Sequence, residues 1–98
     1  MKCRFVVCHN PGTTEQDVTF KNWVVSRGYG WWHWLQGSWL IVDGLGSLTA
    51  AELREAVNAA YPGIYNIVIG VDDPNNWAGF GITSGPQNMF PWLGKTWH

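Results

Sequence analysis

Few residues of this chain could do covalent or metal chemistry. Three histidines (His9, His33, His98), two cysteines (Cys3, Cys8) and the pair Asp72-Asp73 are the candidates. A metal site needs ligands that converge on one point, and none of these spacings forces convergence. Asp72-Asp73-Pro74-Asn75 also has the form of an ordinary turn. Cys8 and His9 are neighbours, and neighbours on a strand point to opposite faces, so a thiolate–imidazole pair is disfavoured. Cys3 and Cys8 are an odd step apart, which opposes a disulfide between them. No catalytic residue, metal ligand or cofactor is expected.

Tryptophan offers a different chemistry. The chain has 8 Trp, and Trp23, Trp31, Trp32, Trp34 and Trp39 fall in one short stretch. A small domain cannot hide them all, and flat aromatics give large contact area at low entropic cost. Nucleobases stack on Trp for ~1–3 kcal/mol each. The expected ligand set is therefore Trp32, Trp34, Trp39 and Trp77 for contact, with His9, Asn10, His33 and Asn76 as hydrogen-bonding groups. Lys2, Arg4, Lys21 and Arg27 would suffice for one or two phosphates. The competing reading is that the same Trp residues fill a core and an interface.

Composition narrows the classes. The 98 residues carry 6 basic and 7 acidic side chains, a net charge of −1, and are 46% hydrophobic but only 13% charged. One domain fits that length. A disordered chain is excluded, because such chains are charge-rich and poor in aromatics. Duplex nucleic acid is not an expected partner, since that binding mode needs a basic excess. Nothing approaches the ~20 apolar residues of a membrane span, and Met1–Phe5 lacks the apolar region of a signal peptide. A cytoplasmic location is expected.

The elements that must position these residues read as follows. Cys3–Cys8 is a β-branched and aromatic run, hence a strand, closed by the turn His9-Asn10-Pro11-Gly12. Thr13 and Gln16 form a capping box, Phe20, Trp23 and Val24 share a helical face, and Gly28 ends the helix. Tyr29–Leu35 and Ser38–Asp43 are strands around Gln36-Gly37. Thr49 and Glu52 cap a second helix, with Leu48 stapled on Leu53 and with Leu53, Ala56, Val57 and Ala60 on one face. Pro62-Gly63 stops it, and Asn66–Val71 is the last strand. The order β-α-β-β-α-β predicts an α+β, ferredoxin-like fold: a four-stranded antiparallel sheet with two helices on one face. Residues 1–76 would form this unit, and the Trp-rich residues 77–98 an extension of the same domain, either a hairpin or a wrapping tail with a helical turn near Pro91-Trp92-Leu93. The strands are apolar on both faces, so the second face needs a cover. A homodimer or higher homo-oligomer would supply one, and the tail would supply another.

The run Gly30-Trp31-Trp32-His33-Trp34-Leu35-Gln36-Gly37-Ser38-Trp39-Leu40-Ile41-Val42 resembles a family of small bacterial and phage proteins described as SinR-like. Trp77-Ala78-Gly79-Phe80 and Trp92-Leu93 follow in the family's order, so the likeness spans nearly the whole chain. The family is in turn distantly similar to the small nuclease-like subunit of the CRISPR spacer-acquisition complex, through Gln36-Gly37-Ser38 and Leu48-Thr49-Ala50-Ala51-Glu52-Leu53. The resemblance implies a ferredoxin-like homodimer in a nucleic-acid or nucleotide setting. The nuclease relative has an Asp where the first strand ends. Val7-Cys8-His9-Asn10 has none, which removes a carboxylate that such a metal site needs.

The resulting expectation is a non-catalytic, homo-oligomeric protein that binds a small nucleotide, such as a second messenger of antiviral signalling. The alternatives are a divalent-metal nuclease and a toxin–antitoxin-type interaction module.

Overall fold

The computed structural model describes residues 1–98 as a mixed α+β fold. The elements are β1 (Cys3–His9), α1 (Thr14–Ser26), β2 (Gly30–Leu35), β3 (Ser38–Asp43), α2 (Ala50–Ala60), β4 (Asn66–Val71) and α3 (Met89–Trp92), with a wider helical turn over Leu93–Trp97. The four strands form one antiparallel sheet in the order β2-β3-β1-β4. No helix is long and apolar enough to cross a membrane.

Both long helices start where the sequence places their caps. The Thr13 hydroxyl accepts from Gln16 N–H while the Gln16 side chain accepts from Thr13 N–H; Thr49 and Glu52 repeat the exchange. Two otherwise orphaned donors are satisfied at each start. At the end of α1, Gly28 N–H reaches Val25 C=O and Tyr29 N–H reaches Val24 C=O. That closure needs Gly28 at positive φ, here 75°.

The two sheet faces have different covers. Phe5, Val7, Trp39 and Ile41 point to the face where α1 contributes Phe20 and Val24, and α2 contributes Leu53, Val57, Ala60 and the following Tyr61. Trp32 and Val42, flanked by Val6, Leu40 and Val71, point to the opposite face, where Met89, Leu93 and Trp97 pack on them. Of the two covers expected for that face, the tail is the one present within a single chain. The helical turn expected near Pro91-Trp92-Leu93 is α3 and the Leu93–Trp97 turn, a third helical segment beside α1 and α2. Asn88 caps α3 by accepting from Phe90 N–H, and Pro91 sits in the first turn, where its missing N–H costs no helix bond. Burying Met89, Leu93 and Trp97 contributes roughly 1.5–3 kcal/mol per side chain before entropy.

Two further devices hold the tail. Lys2 Nζ donates to Thr96 C=O at 3.1 Å, and Arg4 donates to Trp97 C=O and, at 2.6 Å, to His98 C=O. These are the carbonyls that a helix end leaves unpaired. Gly30 lets the tail come close, since a Cβ there would lie 2.5 Å from Thr96 Cγ2.

Candidate functional site

The expected ligand residues divide between the two faces of the sheet. His9, His33 and Trp39 lie on the helix-covered face, where β1 ends beside the β2–β3 hairpin. Gly37 brings these together: its C=O accepts from His9 N–H at 2.7 Å, and a Cβ on it would stand 2.5 Å from His9 C=O. Its φ of 78° is a second reason for glycine there.

Trp39 is 1% exposed, and its Nε1 donates to His9 Nε2 at 3.1 Å. An indole N–H can only donate. His9 Nε2 therefore accepts, its proton sits on Nδ1, and Nδ1–H donates to Asn10 C=O at 2.7 Å. Both ring nitrogens of His9 are occupied. The His33 ring stacks on Trp39 with centroids 3.7 Å apart and planes 2° apart, and its Nδ1 donates to Ser38 C=O at 2.6 Å. Its Nε2 stands 3.8 Å from Asp17 Oδ1.

Two residues outside the expected set complete this cluster. Tyr61 is fully buried, lies 4.2 Å from the His9 ring, and donates its hydroxyl to Asp17 Oδ1 at 2.5 Å. Burial raises the Tyr61 phenol pKa well above its ordinary value, and the hydrogen bond to Asp17 and its charge raise it further. A signal for Tyr61 was present: Leu53, Val57 and Tyr61 recur every fourth residue, so Tyr61 continues the buried stripe of α2 past its end. Asp17 reads from the sequence only as an acid suited to a helix start. Its link to Tyr61 spans 44 residues and has no local signature. The cluster ties α1, α2, β1 and the hairpin together. No group of three or more His, Cys, Asp or Glu gathers there to hold a metal.

Trp32, Trp34 and Trp77 lie on the opposite face. Trp34 shares the Trp32 side by strand alternation, and a bulge between Trp32 and Leu35 breaks that alternation so that Leu35 lines the same side. There an open groove of about 430 Å³ runs between the sheet (Val6, Trp32, Leu40) and the tail (Trp77, Phe80, Met89). Gly79 lets the chain pass closely over Met89, since a Cβ on it would be 2.8 Å from Met89 Cε. A smaller pocket of about 210 Å³ adjoins, lined by Trp34, Phe80 and Ile82. Trp34 and Trp77 remain 47% and 43% exposed. Trp32 is buried, and its Nε1 is a donor with no partner.

Asn10 and Asn76 are exposed and line neither of these pockets. The four candidate phosphate ligands are also elsewhere. Lys2 and Arg4 hold the tail, Lys21 sits 5.5 Å over Trp31, and Arg27 sits 5.3 Å over Trp23. The groove is thus built for flat apolar contact, without a cation in its lining. No protein-family model, no curated protein and no solved structure matches this chain.

Proposed function

We propose that the protein is a non-catalytic, homo-oligomeric binding domain whose tail-side groove takes a flat heteroaromatic group, a nucleobase of a small nucleotide first among them. The observation that carries this reading is the groove itself: about 430 Å³ between sheet and tail, walled by Trp32, Trp77 and Phe80, with Trp34 half exposed at its side. Pockets of that size with mostly apolar walls and few polar groups are the usual form of small-ligand sites. Stacking on an indole supplies ~1–3 kcal/mol per base without needing charge. The sheet order β2-β3-β1-β4, with α1 and α2 on one face, supports a ferredoxin-like reading of the fold. The likeness of residues 30–42 to SinR-like proteins favours a nucleotide over other flat rings.

The test is tryptophan fluorescence and thermal melting with nucleosides, mononucleotides and cyclic oligonucleotides. A base-dependent quench that weakens in Trp34→Ala and Trp77→Ala, with unchanged circular dichroism, is the expected result. If nucleosides and nucleotides alike leave both signals unchanged, the reading fails. An interaction module then takes its place, favoured by the exposed side chains of Leu35, Phe80 and Ile82 beside the groove.

A further inference from the structure

We infer that β4 is a self-complementary edge, and that a second copy of this chain docks there to extend the sheet across a two-fold axis. This rests on the homo-oligomeric part of the reading above and adds the surface and register.

The sheet has two edges, β2 and β4. Edge strands of soluble proteins are normally blunted by Pro, charge or a bulge. β2 carries the bulge after Trp32. β4 reads Asn-Ile-Val-Ile-Gly-Val, with no Pro and no charged residue, and it pairs with β1 without interruption from Asn66 to Val71.

Hydrogen-bond parity identifies the free groups. Asn10 N–H donates to Tyr65 C=O at 3.0 Å, which continues the β1–β4 register by one pair. Bonded and non-bonded pairs alternate in an antiparallel ladder. Tyr65, Ile67, Ile69 and Val71 therefore bond to β1, and the main-chain groups of Asn66, Val68 and Gly70 face outward. No protein group accepts or donates to these outward N–H and C=O groups.

A second β4 fits that edge in one register above others. With the axis at Val68, Val68 pairs with the partner's Val68, and Asn66 pairs with the partner's Gly70. Each such pair exchanges both main-chain bonds. The glycine leaves room opposite the asparagine side chain. In the alternate pairs Ile67 faces the partner's Ile69 and Ile69 faces the partner's Ile67, on the face where they stand 57% and 50% exposed. Non-bonded pairs bring side chains closest, and apolar pairs there stabilise sheets. No charges of like sign are opposed within the strand. Beside the edge, Ala50, Ala51 and Arg54 of α2 line an open hollow together with Asn66, Ile67 and Val68. The joined sheet has eight strands and buries both exposed isoleucine pairs.

Sedimentation equilibrium and amide hydrogen exchange test this. The wild-type chain should sediment at twice its chain mass at high micromolar concentration, and the amides of Asn66, Val68 and Gly70 should be protected. Ile67→Lys with Ile69→Lys opposes like charges twice and should raise the dissociation constant at least tenfold. Ile67→Lys with Ile69→Glu places opposite charges in both pairs and should restore association. Circular dichroism and melting confirm folding of each variant. A monomeric wild-type chain, rapid exchange at those three amides, or equal behaviour of the two double variants overturns the inference. Nucleoside quenching measured on the double-lysine variant reports the groove separately, so loss of either property is read without the other.

Discussion

Replacing Asp43 with Asn should destabilise the fold markedly, because its carboxylate holds the turn between β3 and α2. Asp43 ends β3 and is 2% exposed. Its Oδ1 accepts from Leu45 N–H at 2.9 Å, and its Oδ2 accepts from Ser47 N–H at 2.8 Å and Leu48 N–H at 2.9 Å. The carboxylate thereby shapes the whole connection from β3 to the cap of α2. An amide has one acceptor oxygen, so it keeps one side of this arrangement and turns an NH₂ toward a donor on the other. Hydrogen bonds to charged groups contribute roughly 1.5–3 kcal/mol. With the oxygen in the Oδ2 place, the Leu45 bond is lost and its N–H faces the NH₂, which should cost about 2–3 kcal/mol, a large part of the ~5–15 kcal/mol that holds such a domain. The midpoint of melting should fall by about 8–24 °C, at ~4–8 °C per kcal/mol for this size.

The same residue sets an acid limit. Burial pushes the Asp43 carboxyl pKa up, but the N–H groups of Leu48, Leu45 and Ser47, with the Ser47 hydroxyl, outweigh it, so the pKa lies below the ordinary 3.8. A depressed carboxylate pKa stabilises the fold fully above the unfolded value, and the contribution fades as pH falls through the folded value. Urea melts of the wild type should weaken below about pH 4, and Asp43→Asn should show a shallower decline there. A variant within about 0.5 kcal/mol of wild type at pH 7, the scatter of ordinary surface changes, would refute the reasoning. So would an unchanged acid slope.

Two other outcomes follow from the packing. Gly30→Val drives a side chain into Thr96 and should lift the tail, seen as increased binding of a hydrophobic dye and faster exchange of the Thr96 and Trp97 amides, with the β1–β3 amides still protected. Tyr61 should remain a neutral phenol above pH 10 in the folded protein, and ultraviolet titration should show its ionisation arriving only with unfolding. Because that pKa is raised on folding, the associated stability is complete below pH 10 and is lost as pH climbs beyond it.

The sequence by itself determined the elements, because their signals are local. The Thr13/Gln16 and Thr49/Glu52 exchanges span three residues, Gly28 and Gly37 meet backbone demands at their own positions, and strand alternation is written residue by residue. The apolar character of both sheet faces also implied two covers before any coordinate was known. What the sequence left open was which cover applies, since a tail and a second copy bury the same side chains. Within one chain the answer came from Met89, Leu93 and Trp97 meeting Trp32 and Val42, contacts between residues far apart in sequence that no short window contains. The candidate site divided for a related reason. Trp32, His33 and Trp34 are consecutive, so a reading along the chain groups them together. The pleat sends His33 to Trp39 on one face and Trp32 to the tail on the other, and the bulge then turns Leu35 to Trp34's side. Asp17 with Tyr61, and Lys2 and Arg4 with the last helical turn, are likewise pairings across the chain. Residue type sets what each side chain can bond to, but only the packed chain decides which partner is within reach.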